Sequence, residues 1–149
     1  MVASVLDGRA CAETVEEALK PRINNCTKNG VVPHLAVIIV GDDPASRVYV
    51  NAKIRACNRL GIKSSHIKLP SSIQESVLIE QIRQLNDDST IHGILIQSPL
   101  PSHMNEESLT DLINPEKDVD GFHPVNLGRL VQSRDCLLYT SPSPRDSFR

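Results

Sequence analysis

Apolar runs alternate with helical patterns along most of the chain. The run at residues 35–40 is continuous, rich in β-branched residues and ends at Gly41, which is typical of a strand buried on both faces. A weaker strand is predicted at residues 65–69 and a third strand at residues 93–96. Helical periodicity predicts helices over residues 8–28, 44–60, 74–85 and 105–113. This alternation predicts a three-layer α/β/α domain with a mostly parallel sheet.

The second helix has clear sequence signals at both ends. Asp43 suits the capping position, Pro44 suits the first helical position, and Gly61 suits the position after the last turn. In the first helix, Pro21 falls within the apolar pattern and should kink or interrupt it. Ligands of parallel α/β sheets bind beyond the carboxyl ends of the strands. Here those ends are residues 41–43 and 97–101.

Composition and charge narrow the functional classes. The 149 residues carry 16 Lys and Arg against 18 Asp and Glu, which argues against a nucleic-acid binder. There is no apolar run of about 18 residues and no signal-peptide core near the start, so we expect neither a membrane span nor an export signal. The cysteines and histidines are scattered and form no ligand spacing. We therefore expect reduced thiols, a cytoplasmic protein and no metal site.

One lysine falls on the unexpected side of the second helix. On a helical wheel Lys53 lies in the apolar arc with Ser46 and Tyr49, whereas Arg47 and Arg55 occupy the opposite, solvated arc. The Lys53 ammonium could extend along that face into water, or it could face a cleft and have a catalytic role. Tyr49 favours the cleft, because aromatic residues are rare in residues 1–132 and a flat ring beside a lysine suits a planar ligand.

Two later segments carry further candidates. Gln97 precedes the proline-rich turn at residues 98–101, where its amide could satisfy backbone groups or hold a lysine ammonium or a substrate carbonyl. The prolines restrict the shape of that turn. Asp118 and Asp120 would point the same way in an extended segment. They could belong to a simple turn ending at Gly121, or one carboxylate could bind an amino-pyrimidine edge through paired hydrogen bonds.

Three motifs in order along the chain resemble the methylenetetrahydrofolate dehydrogenase/cyclohydrolase family. Residues 40–53, VGDDPASRVYVNAK, are similar to the family segment V-G-x-x-x-A-S-x-x-Y-V-x-x-K. Residues 86–97, NDDSTIHGILIQ, resemble its second signature, and residues 117–130, KDVDGFHPVNLGRL, resemble its third. Chance agreement of three ordered motifs is negligible compared with that of one short motif.

The resemblance implies roles for individual residues. Tyr49 would stack on the conjugated rings of a folate, Lys53 would act as acid and base beside the one-carbon bridge, and Gln97 would hydrogen-bond that lysine and tune its protonation. These three would be the catalytic residues. Further substrate contacts would come from Tyr49, Ser46, Pro99 and Asp120. The carboxylate of Asp120 would bind the amino-pyrimidine edge of the pterin.

The implied chemistry has two steps. A hydride leaves the bridge of 5,10-methylenetetrahydrofolate for NADP or NAD, and water then converts the methenyl product to 10-formyltetrahydrofolate. In the family a Rossmann domain follows and binds the nucleotide, and the whole enzyme is expected to be a homodimer. This sequence has no G-x-G-x-x-G turn, so we expect no cofactor-binding residues in it, and at most the cyclohydrolase reaction.

The chain departs from the family pattern in two places. Ser98 stands where the family has an apolar residue before Pro-Leu. Residues 133–149 are rich in Ser, Pro and Arg, and we expect them to be disordered or foreign to a folate-binding catalytic domain at residues 1–132. Two alternatives stay open: a non-catalytic folate-binding module, and the catalytic half of another two-domain dehydrogenase of the amino-acid or shikimate type.

Overall fold

The computed structural model describes residues 7–132 and Arg134. The prediction for residues 133–149 therefore lies, Arg134 apart, outside the described residues. The elements in chain order are α1 (Gly8–Lys28), β1 (His34–Val40), α2 (Pro44–Leu60), β2 (Lys63–Leu69), α3 (Glu75–Asp87), β3 (Gly93–Gln97), α4 (Glu106–Thr110) and α5 (Pro124–Val131). No helix of the described part is long and apolar enough to cross a membrane.

The three strands form a parallel sheet in the order β2-β1-β3. In register, Val37 of β1 lies opposite His66 of β2 and Leu95 of β3. The central position of β1 follows from its sequence, because HLAVIIV is buried at all but one position. All three strands point the same way, so the carboxyl ends of β1 and β3 meet at one edge of the sheet.

Different helices cover the two faces of the sheet. The even-numbered apolar residues of β1 pack with Leu78 and Ile82 of α3. Val37 and Ile39, which alternate with them, pack with Val50 of α2. Alternation along a strand thus separates two apolar layers, and the predicted three-layer α/β/α architecture with a parallel sheet is confirmed.

The predicted bounds of α1 and α2 are confirmed, whereas the interruption predicted at Pro21 is wrong. The Asp43 side chain caps α2 by accepting a hydrogen bond from the Ser46 N–H, at 2.7 Å, and α2 ends at Gly61 with φ of 76°. The helix α1 continues through Pro21. Pro21 and Glu17, whose carbonyl oxygen loses its N–H partner, are both exposed, so water can supply the missing hydrogen bond.

The predictions near the carboxyl end of the described chain were less accurate. Helix α4 covers only residues 106–110, and α5 was not predicted at all. Its signals are present, because His123 accepts the Val125 N–H at its Nδ1 atom, at 3.1 Å, and Pro124 occupies the first turn. The helix was missed because the Asp-Gly pair before it indicates a turn and only eight residues follow in helical form.

The segment at residues 117–120 lies against β3 through an isolated bridge at Asp118 and is otherwise a turn followed by a bend, not the extended stretch considered from the sequence. The Ile94 N–H donates to the Lys117 carbonyl oxygen at 2.7 Å, and Ile94 forms a parallel bridge with Asp118. Gly93 permits this approach, because a Cβ atom at that position would lie 2.5 Å from Cγ1 of Val119. The lack of a side chain at Gly93 therefore sets how closely the segment packs on the sheet.

We expect Gly93→Ala to lower the free energy of unfolding by about 1–3 kcal/mol, the usual cost of overpacking a close contact. Gly128→Ala is the matched control, because a Cβ at Gly128 has no neighbour within 4 Å and alanine favours helices by up to about 1 kcal/mol. Urea unfolding of both variants measures the difference. An unchanged midpoint for Gly93→Ala would contradict the close approach.

Candidate active site

Helix α2 presents three of the predicted site residues on one side. Ser46 is buried, and its Oγ donates to the Ser98 carbonyl oxygen at 3.2 Å. Lys53 is half-buried two turns later. Tyr49, between them, is 64% exposed. The buried face of the helix passes through Ser46, Val50 and Cys57, so Tyr49 lies at its margin with a ring surface open to a ligand.

The ammonium group of Lys53 is directed at the carboxyl end of β3. Its Nζ donates to Oε1 of Gln97 at 3.1 Å, and Nε2 of Gln97 donates to the Ser98 carbonyl oxygen at 2.9 Å. The second bond fixes the amide so that its oxygen faces the lysine. Gln97 is the last residue of β3, one residue beyond the predicted strand end. The contact places Lys53 at the strand edge, while its catalytic role stays a prediction.

The turn after β3 is held from two sides. Ser98 accepts hydrogen bonds at its carbonyl oxygen from Ser46 and Gln97, and its hydroxyl group bonds to the Glu106 carboxylate. The Ser98–Pro99 peptide bond is cis, and Pro99 is exposed. Ser98, the departure from the family pattern, therefore links the turn to α4 by a polar contact that an apolar side chain would not make.

The two aspartates of the third motif have different environments. Asp118 is 1% exposed, and its carboxylate accepts hydrogen bonds from the Gly121 N–H, the His123 N–H and Nδ2 of Asn126. It therefore holds a turn, as the simpler interpretation predicted. Asp120 has no such donors among the hydrogen bonds of the described residues.

The electrostatic surroundings of Asp120 are mixed. Loss of hydration raises the pKa of its carboxyl group, the nearby charge of Lys53 opposes that rise, and the charge of Asp118 adds to it. Desolvation outweighs the attraction to the lysine. Asp120 is thus an exposed carboxylate that is influenced by the charge of Lys53 and accepts no hydrogen bond within the described part of the chain, which suits it to bind a donor group of a ligand.

A groove beside Asp120 brings in two residues that sequence reasoning missed. Glu106 and Phe122 line both a pocket of about 580 Å³ between α4 and α5 and a smaller cavity that includes Ser98, Asp118 and Asp120. Phe122 had a signal in the sequence, because it is one of two aromatics before the tail. Glu106 had none, since its position in the groove follows from the Ser98 contact.

The turn between β1 and α2 does not fit a dinucleotide, and the described residues form no cluster of metal ligands. A dinucleotide pyrophosphate needs backbone N–H groups and no negative charge at a strand-to-helix turn. The turn between β1 and α2 instead carries Asp42 and Asp43, and Asp43 already caps the helix. In the part of the chain that the structure describes, no group of three or more His, Cys, Asp or Glu side chains is arranged to hold a metal.

Comparison with known proteins identifies the family of this chain. Residues 6–120 match the profile described as tetrahydrofolate dehydrogenase/cyclohydrolase, catalytic domain. The chain belongs to the tetrahydrofolate dehydrogenase/cyclohydrolase family. All six predicted site residues, from Ser46 to Asp120, lie in the matched segment. Membership removes the alternative of an amino-acid or shikimate-type dehydrogenase.

Individual members of the tetrahydrofolate dehydrogenase/cyclohydrolase family show how much of a relative the chain represents. It is 48% identical over 133 residues to the bifunctional protein FolD of Ligilactobacillus salivarius, covering 89% of this chain and 47% of that protein. The structure of a 5,10-methylenetetrahydrofolate dehydrogenase from the silkworm, Bombyx mori, superposes with a TM-score of 0.88 at 42% identity, covering 91% and 47%. The chain spans about half the length of these relatives.

A third relative has a nucleotide bound. The methylenetetrahydrofolate dehydrogenase-cyclohydrolase (FolD) of Trypanosoma brucei, solved with NADP cofactor and an inhibitor, superposes with a TM-score of 0.84 at 32% identity, covering 90% of this chain and 46% of that one. The described residues of this chain correspond to less than half of that NADP-binding protein, so the comparison does not place its nucleotide on them.

We expect opposite effects on stability from the two aspartates. A raised pKa disfavours the ionised carboxyl group in the folded state, so the stability linked to Asp120 is lost as pH rises through that pKa. Because Asp120 is exposed, solvent screens this effect, so Asp120→Asn should raise the free energy of unfolding at pH 7 only slightly, with a gain that vanishes towards the ordinary aspartate pKa of 3.8. Asp118→Asn should lower it by about 1–3 kcal/mol, because buried donors lose their acceptor. Urea unfolding at several pH values measures both effects, and a destabilised Asp120→Asn would contradict the desolvation of Asp120.

Proposed function

We propose that this chain binds a reduced folate and converts 5,10-methenyltetrahydrofolate to 10-formyltetrahydrofolate. The observation that carries the proposal is the hydrogen bond from Lys53 to Gln97 at the carboxyl end of β3, with Asp120 close enough for the charge of Lys53 to act on its carboxyl group. Ligands of parallel α/β sheets bind at this edge. The names of the relatives, FolD and methylenetetrahydrofolate dehydrogenase, support the choice of substrate.

In the proposed reaction Lys53 transfers protons in both directions. Lys53 first releases its ammonium proton to solvent, and its amine then takes a proton from the water that attacks the methenyl carbon, which forms a neutral carbinolamine; the ammonium proton is regained from solvent after the product has formed. The lysine then returns a proton to the pterin nitrogen as the bond from that nitrogen to the carbinol carbon breaks. The hydroxyl proton leaves to solvent, so the overall reaction consumes one water and releases one proton. Gln97 holds the amine at the bridge through its Oε1 atom.

The remaining site residues would orient the substrate. The exposed ring of Tyr49 would stack on the conjugated rings of the folate, because aromatic faces pair well with planar ligands. Asp120 would accept hydrogen bonds from the amino-pyrimidine edge, which would replace the hydration that its carboxylate has lost. Ser46 and Pro99 would shape the pocket through the turn after β3, to which Ser46 is hydrogen-bonded.

We further propose that residues 1–132 are the folate-binding half of a longer enzyme. The relatives are about twice as long, and one of them was solved with NADP, so the whole protein would also oxidise 5,10-methylenetetrahydrofolate with NADP or NAD. We infer a homodimer for the whole protein from its family. The free thiols of Cys11, Cys26 and Cys57 support the reducing cytoplasm as its location.

We expect Lys53→Met to reduce the rate of methenyltetrahydrofolate hydrolysis by about 10²–10⁴-fold, the usual contribution of a general acid and base. Arg55→Met is the matched control, since Arg55 lies on the exposed side of the same helix and its loss should leave the rate unchanged. The assay follows loss of the methenyl substrate by absorbance, corrected for spontaneous hydrolysis.

Two results would overturn the proposal in different ways. Equal rates for Lys53→Met and the unsubstituted chain would remove Lys53 from the mechanism. Folate binding without any hydrolysis above the spontaneous rate would instead support the alternative of a non-catalytic folate-binding module. Calorimetric titration with folic acid, run on the same samples, separates the second result from a failure to bind.

A further inference from the structure

We propose that Lys117 and Asn126 are positioning residues for Asp120, acting from opposite ends of the segment that carries it. The inference rests on the proposed function, in which Asp120 binds the pterin. Neither residue lines the cavity beside Asp120, so neither would touch the substrate. Each is joined to the rest of the fold by contacts that fix where the segment lies along β3.

Lys117 anchors the beginning of the segment. Its Nζ donates to the carbonyl oxygens of Leu85, Asn86 and Asp88, at 3.0, 2.7 and 2.8 Å. These groups lie at the carboxyl end of α3, where a helix leaves carbonyl oxygens without partners and attracts a positive charge. The backbone carbonyl of Lys117 accepts the Ile94 N–H at 2.7 Å. One residue thus joins the end of α3 to the edge of β3.

Asn126 anchors the segment from the other side, through Asp118. It is 1% exposed, and its Nδ2 donates to the Pro115 carbonyl oxygen at 2.8 Å and to Oδ2 of Asp118 at 2.9 Å. Asp118 uses its remaining capacity on the N–H groups of Gly121 and His123. The Asp118 carboxylate therefore closes a turn that contains Asp120. Asn126 of α5 joins this turn to the Pro115 carbonyl oxygen, which precedes it in the chain.

Asp120 lies between these two anchors. Within the described residues its own side chain makes no hydrogen bond that would fix its position. Val119, its neighbour, packs against Gly93, so the backbone around Asp120 is held on the sheet while its carboxyl group stays free. Hydrogen-bond energy falls steeply when distance or angle departs from the optimum. A small shift of this segment would then cost folate affinity without removing any group that touches the ligand.

A double-mutant cycle tests whether the two residues act through Asp120. The affinity for folic acid is measured by calorimetry for Lys117→Met and Asn126→Leu, each alone and combined with Asp120→Asn. Lys68→Met serves as control, because Lys68 is an exposed lysine on β2. We expect Asp120→Asn to weaken binding about tenfold or more, the effect of losing a charged hydrogen bond. Each positioning variant should weaken binding several-fold alone and add nothing in the Asp120→Asn background.

Thermal unfolding of the same samples shows which variants are folded. If Asn126→Leu does not fold, Lys117→Met carries the test, because its backbone contacts with β3 remain. Equal weakening by a positioning variant in both backgrounds would overturn the proposal and leave a merely structural role. An unchanged affinity in Asp120→Asn itself would be a different failure, because it would remove Asp120 from folate binding and, with it, the reason to position it.

Discussion

The hydrogen bond between Nζ of Lys53 and Oε1 of Gln97 is the contact on which the proposed chemistry depends. It joins residues from two chain segments that meet only because the sheet is parallel. Helix α2 begins just beyond the carboxyl end of β1, and Gln97 ends the neighbouring strand β3. An antiparallel pairing of β1 and β3 would place Gln97 at the other edge of the sheet. The apolar sequence of β1, which puts it in the centre, thus determines where the lysine finds its partner.

At the same edge of the sheet, partial desolvation of a carboxyl group works slightly against folding. Asp120 is exposed but partly desolvated, and its carboxylate accepts no hydrogen bond from the residues that the structure describes, whereas that of Asp118, two residues earlier, accepts three in the interior. In the proposed function, Asp118 therefore holds the turn and Asp120 is the carboxylate that binds the ligand. A carboxylate kept short of partners is less favourable in the free protein, but it is ready to accept donors from a ligand.

Much of this arrangement follows from local sequence. The continuous apolar run of β1 gives the central strand, and Asp43, Pro44 and Gly61 define both ends of α2. The helical wheel alone grouped Ser46, Tyr49 and Lys53. Contacts between residues that are far apart in the chain could not be predicted from local sequence. The partners of Lys117 lie about thirty residues earlier in the chain, and the roles of Glu106 and Asn126 depend on where two short helices pack. Proline disfavours a helix interior, yet α1 continues through Pro21, because this part of the helix is exposed and tolerates a missing hydrogen bond.

A crystal structure of the chain with folic acid bound is the most direct test of the central claim. We expect the pterin to stack on the Tyr49 ring, with its amino-pyrimidine edge about 2.7–3.2 Å from the Asp120 carboxylate oxygens. Lys53 should stay bonded to Gln97, with its ammonium group facing the atoms that carry the one-carbon bridge in the reduced substrate. A ligand bound only in the groove between α4 and α5, with the Lys53 ammonium turned away into water, would contradict the account.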